Sequence, residues 1–150
     1  MDRYSNEEYA KLVDEVSPDS PLIKNGVRAF LVGGSISVVG QVIHNMLVNI
    51  NIHIDSVPAY TAIILVFLGV LLTAFNVYSR LGRFAGAGSI VPITGFANAI
   101  ASAAVEFKKE GFILGLGAKL FTIAGPVIAY GVATSMIVGV IYYFVTHIGG

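Results

Sequence analysis

Seven residues between positions 86 and 98 are unusual for an otherwise apolar stretch: Gly86, Gly88, Ser89, Pro92, Thr94, Gly95 and Asn98, in the run "FAGAGSIVPITGFAN". Glycine permits uncommon dihedrals and close backbone approach, while proline removes a donor and frees a carbonyl. The hydroxyls and the amide can satisfy the groups so freed, or face water. That is the chemistry of a polar lining, hydrogen bonding to water or a solute without making covalent bonds. Gly86-x-Gly88 does not complete a dinucleotide fingerprint, because the third glycine is missing and no soluble strand precedes it.

A second group lies upstream. Ser37, Gln41 and Asn45 recur every four residues with His44 beside them, a stripe that should face protein or water rather than lipid. It serves either as hydrogen-bonding glue between helices or as part of a polar conduit. Thr73, Asn76 and Arg80 form a further stripe, with Arg80 most simply a topology anchor. Lys119 stands in an apolar tract, where its ammonium either snorkels to the interface or faces a cavity and attracts an anion. His44 has no carboxylate or second histidine at ligand spacing, so no metal site is expected there. Zero cysteines exclude disulfides and thiolate chemistry. No nucleophile–base pair or phosphate loop is present, so neither an enzyme nor a cofactor site is expected.

The elements that must position these groups are membrane helices. Of the 150 residues 55% are hydrophobic and 12% charged, about half the charge of an ordinary soluble domain. From Ala29 to Ser79 there is no Lys or Arg, and Asp55 is the lone acid. The chain therefore reads as an all-α integral membrane protein of four to five hydrophobic segments. Residues 1–28 form a tail and 29–150 a single polytopic domain. In the tail, Ser5 and Glu8 fit a capping box. Tyr9, Leu12, Val13 and Val16 share one apolar helix face, and "SPDSP" (17–21) stops the helix. The polar face is net acidic, which favours docking on a protein over lying on anionic lipid; a solvated tail helix fits the pattern equally. The first twenty residues contain no apolar signal region, so the first membrane segment is expected to act as its own insertion signal.

The segments fall at about Ala29–Ile50, Pro58–Ser79 and Phe84–Val105. A tract from Phe112 to Val145 is expected to break at Gly125-Pro126 into a short element and a spanning helix near Pro126–Val145. Lys24 and Arg28 place the N-terminus in the cytoplasm, the 50–58 loop outside, and Arg80 and Arg83 inside again. If "EFKKEG" (106–111) is also inside, the third segment is re-entrant; if that segment spans, its neutral flank lies outside. A broken or re-entrant element beside a permeation path is the expectation, with a kinked, tightly packed helix as the alternative. Gly131, Ser135 and Gly139 give the last helix a small face. "FLVGGSI" (30–36) and "FAGAGSI" (84–90) share four residues in seven at an offset of 54, a faint internal echo.

Two blocks, "AFLVGGSISVVGQ" (29–41) and "GRFAGAGSIVPITGFANAIASAAVEFKKEG" (82–111), resemble the signature blocks of the SpoVA sporulation membrane proteins. The second is shared by the AC and AEb branches, and the tail and "EFKKEGFILGLGAKLFTIAG" look closer to the AC branch. The resemblance implies a subunit of the inner-membrane complex of the forespore and spore. That complex takes up dipicolinic acid with calcium and releases it on germination. The resemblance also implies an AEb-like membrane subunit and a soluble AD-like subunit as partners. A non-conducting assembly scaffold and a weakly selective tension-gated channel are the alternatives.

Overall fold

The computed structural model describes residues 5–16 and 20–148, and every regular element among them is helical. Helix α1 (Asn6–Val16) opens with the expected reciprocal cap. The Ser5 backbone N–H donates to Glu8 Oε2 at 2.9 Å, and the Glu8 N–H to Ser5 Oγ at 3.3 Å. Its apolar residues Tyr9, Leu12, Val13 and Val16 are exposed. Residues 17–19 of the "SPDSP" stop lie outside the described residues.

Helix α2 (Leu22–Asn49) begins a full seven residues before the apolar run does. Lys24 and Arg28 are compatible with helix, so hydropathy marks the edge of the apolar stretch and not the helix end. After a short turn, a single 3-10 turn (Ile54–Ser56) leads into α3 (Val57–Ala74), with Pro58 in its first turn where a missing N–H costs nothing. α3 stops five residues short of the expected Ser79. Asn76 adopts the left-handed conformation (φ 56°, ψ 21°), which asparagine tolerates better than most residues, and α4 (Val77–Ala85) starts anew.

α4 is strongly amphipathic. Tyr78, Leu81, Gly82 and Ala85 face inward at i, i+3, i+4 and i+7, while Ser79, Arg80, Arg83 and Phe84 stand exposed. Gly86 (φ 51°, ψ −124°) breaks the chain, the single turn α5 (Ala87–Ile90) follows, and Pro92 caps α6 (Ile93–Phe107) in extended conformation. The third segment is therefore broken, not a continuous kinked helix.

Its path follows from its neighbours. α2 and α3 are antiparallel, Gly40 lying against Leu65 and the Val32–Ile36 region against Gly69 and Leu72. Along α3 and α6 the residue order instead rises together. Ile93 borders a cleft with Thr61 and Leu65, Gly69 abuts Thr94 and Ala97, and Thr73 meets Asn98. α6 thus runs parallel to α3, and the 84–107 segment enters and leaves at the same end of the bundle. The fifteen residues of α6 rise only about 22 Å, short of a hydrocarbon core of about 30 Å.

A turn at Gly111 (φ 101°) and a π-helical turn (Phe112–Gly117) then lead into α7 (Ala118–Ile148). The expected break at Gly125-Pro126 is absent: Pro126 sits inside a continuous helix. Proline deprives the Thr122 carbonyl of its partner but need not end a helix, and the flanking Gly125 carries no Cβ to add to the crowding. Three helices, α2, α3 and α7, are long and apolar enough to cross a membrane. Residues 126–147 of α7 are exposed throughout, an apolar surface suited to lipid or protein rather than water.

Candidate functional site

Two of the seven sequence-marked residues, Ser89 and Thr94, bond a side chain that sequence reasoning passed over. Tyr78 is 3% exposed, and its hydroxyl lies 2.8 Å from the Ser89 carbonyl and 2.7 Å from Thr94 Oγ1. A carbonyl can only accept, so the phenol proton goes to Ser89, and Thr94 donates its own proton to the phenol oxygen. Ser89 and Thr94 are themselves buried. The Gly86 carbonyl collects three donors, the Ser89 and Ile90 N–H groups and the Ser89 hydroxyl at 3.0 Å. Together these bonds close the backbone that Pro92 leaves open. The sequence signal for Tyr78 was its phenol, since a buried tyrosine needs a partner and a broken segment supplies free carbonyls.

The glycines act by close approach. A Cβ on Gly88 would run into the backbone of Ala29 on α2, and one on Gly95 into the carbonyls of Ser89 and Ile90. Gly69 on α3 performs the same service for α6, since a Cβ there would meet the Thr94 carbonyl at 2.9 Å. Only Gly86 is needed for its dihedrals: nothing lies within 4 Å of its hypothetical Cβ, but its φ is positive. Asn98 joins the cluster through Thr73, whose hydroxyl is 2.6 Å from the Gly69 carbonyl and 2.9 Å from the Asn98 side chain. One proton cannot serve both acceptors. With the Asn98 amide turned so that its NH₂ donates to Thr73, every group is satisfied.

Two clefts that carry polar side chains in largely apolar walls flank the hairpin tip. One, of about 340 Å³, lies toward the α4 end, where Ser79, Arg83, Ser89 and Asn98 supply polar groups beside Ile90. The other, of about 370 Å³, lies toward the 50–58 turn, lined by Ser37, Gln41, His44 and Thr61 and closed by Ile93. Between them stand Ile90, Val91, Pro92 and Ile93. Val91 is 82% exposed.

The upstream stripe is thus divided. Ser37 donates to the Gly33 carbonyl at 3.0 Å and Gln41 to Asn45 Oδ1 at 2.9 Å, so much of it is satisfied within α2. Asn45 lies beyond the cleft lining, whereas His44, not among the principal candidates, borders it with a buried Nδ1 that finds no partner among the described residues. Lys119 does not join the cluster at all. Its ammonium sits 4.4 Å from the centroid of the Phe107 ring, where α7 meets the end of α6. The echoed blocks touch each other, Gly33 lying against Gly88, but they differ in form, one a continuous helix and the other broken.

Comparison with known proteins agrees with this architecture of membrane helices. Residues 25–141 match the model of the SpoVAC/SpoVAEB sporulation membrane protein family. The chain is 44% identical over 138 residues to Stage V sporulation protein AC of Bacillus subtilis (strain 168), covering 91% of this chain and 92% of that protein. No solved structure matches it. Marked first by the glycine-rich hairpin block and then by identity along most of its length, the chain belongs to the SpoVAC/SpoVAEB family of sporulation membrane proteins.

Proposed function

We propose that this protein is a subunit of the SpoVA complex that moves dipicolinic acid, accompanied by calcium, into the forespore and out again during germination. It performs no covalent chemistry. It lies in the forespore and spore inner membrane with its N-terminus on the cytoplasmic, spore-core side. Its partners are an AEb-like membrane subunit and a soluble AD-like subunit. The observation that carries the reading is the broken hairpin tip Ile90–Ile93, with one cleft bearing Ser79, Arg83, Ser89 and Asn98 toward the α4 end and another bearing Ser37, Gln41, His44 and Thr61 toward the 50–58 turn. Backbone that leaves the helix at membrane depth is tolerated where it is buried in protein or borders a water-filled cavity, and the buried Ser89 and Thr94 beside the two clefts support that reading.

A second reading is a scaffold that positions another pore subunit. It is favoured by the uncovered apolar face of α1 and the exposed length of α7. Purified protein in liposomes separates the readings, with dipicolinate and an uncharged solute of similar size loaded separately. Selective dipicolinate efflux, altered by Pro92→Ala, is the expected result. Leakage of both solutes only under osmotic down-shock identifies a tension-gated channel, and no efflux of either leaves the scaffold.

A further inference from the structure

A third cleft, of about 500 Å³, lies where the first turns of α2 meet the α4–α5 junction. Arg28 and Arg83 both line it, together with Asn25. Among the described residues it holds no Asp or Glu, and the one ion pair lies elsewhere, His53 to Asp55 at 3.5 Å. Arg28 is half-buried, its guanidinium 4.8 Å from the centroid of the Phe84 ring. Ala29, Gly86 and Ala87 add only small side chains to the wall, leaving the space between the arginines open. The two helices are held in register next to the cleft, because Gly88 seats directly on Ala29.

Arg28 from α2 and the exposed Arg83 from α4 line one cleft that has no carboxylate among its lining residues, so an anion entering it meets charge-assisted donors from both helices. We infer that this cleft is an anion site in which Arg28 and Arg83 grip an oxyanion with acceptors for both forks. Two sources offer that chemistry: a soluble dicarboxylate, or the phosphate of an anionic lipid headgroup. The soluble source rests on the transport reading above; the lipid source does not.

The test compares wild type with Arg28→Gln, Arg83→Gln and, as a control, Arg80→Gln, which removes the same charge from the same helix outside the cleft. In one arm, binding of pyridine-2,6-dicarboxylate is measured by equilibrium dialysis in phosphatidylcholine nanodiscs. In the other, retained phosphatidylglycerol is counted by native mass spectrometry. The expected result is about a tenfold or greater loss for both cleft variants in one of the arms, as for a charge-assisted bond, with Arg80→Gln within about twofold of wild type. Loss confined to the dicarboxylate arm assigns a soluble ligand, and loss confined to the lipid arm a headgroup. Equal weakening by Arg80→Gln would reduce the effect to diffuse charge and overturn the site, as would wild-type behaviour of both cleft variants in both arms. A protein that binds the dicarboxylate here yet moves none across liposomes keeps this site and loses the transport reading.

Discussion

Replacing Tyr78 by Phe removes one oxygen and leaves the ring, so it asks what the phenol alone contributes. The structure gives the terms. The Ser89 carbonyl loses its donor at 2.8 Å, and Thr94 loses its acceptor at 2.7 Å, in a site where Tyr78, Ser89 and Thr94 are 3%, 0% and 6% exposed. The stranded carbonyl costs about 1–3 kcal/mol where no other donor replaces the phenol, whereas the Thr94 rotor can turn elsewhere. Interhelical hydrogen bonds in membrane proteins average about 0.6 kcal/mol and reach about 1.7, which pulls the figure down. Together these give about 1–1.7 kcal/mol, a roughly 5- to 20-fold increase in opening of the hairpin. Amide hydrogen exchange over residues 86–96, in the purified full chain in nanodiscs, reads this directly. Thr94→Val should cost less, since Tyr78 keeps its bond to Ser89. The double variant should fall short of the sum of the two by about 0.6 kcal/mol, because the second change breaks a bond already gone. Wild-type exchange in Tyr78→Phe, or strict additivity with Thr94→Val, would refute the proton arrangement.

The glycines should separate by what a methyl group meets. Gly88→Ala and Gly95→Ala force backbone apart and should sharply lower membrane abundance and the melting temperature in detergent, while Gly86→Ala meets no neighbour and costs about 1–3 kcal/mol of dihedral strain; a larger loss at Gly86 than at Gly88 and Gly95 would contradict the close-approach account. Single cysteines at Ser79 and Lys109, both exposed, should be labelled from the same side of the membrane, and labelling from opposite sides would remove the re-entrant path. Leu12→Asp with Val13→Asp should lower co-purification of the other complex subunits without impairing insertion, and unchanged recovery would make α1 a solvated tail.

What could be read in the sequence was local. The α1 cap, the break at Gly86 and Pro92, and the apolar spans each depend on a few adjacent residues, and each stands where short-range stereochemistry puts it. The misreadings share a different cause. Helix ends at Leu22 and Ala74 do not coincide with hydropathy boundaries, because a helix continues past the apolar region through Lys24 and Arg28, while an asparagine inside that region can stop one. Gly125-Pro126 has the composition of a break but lacks the surroundings that make one. Gly111, with its positive φ and the π-turn after it, takes the role instead.

Tyr78 went unnoticed for a related reason. Its partners are 11 and 16 residues away and arrive only because the chain reverses at the hairpin tip. Sequence spacing along one continuous second segment set Thr73, Asn76 and Arg80 in one polar stripe, but the left-handed Asn76 separates α3 from α4 and rotates everything after it. Tyr78 consequently turns inward, and Arg80 and Arg83 turn out. The same residue explains why α6 can lie parallel to α3. By ending α3 early, Asn76 turns α4 aside and leaves the lower half of α3 uncovered, with Gly69 and Thr73 as the contact surface. α6 occupies that surface, through Thr94, Ala97 and Asn98. The hairpin is thus specified at two places. The glycine and proline near its tip permit the reversal, and an asparagine ten residues before Gly86 makes room for the returning arm.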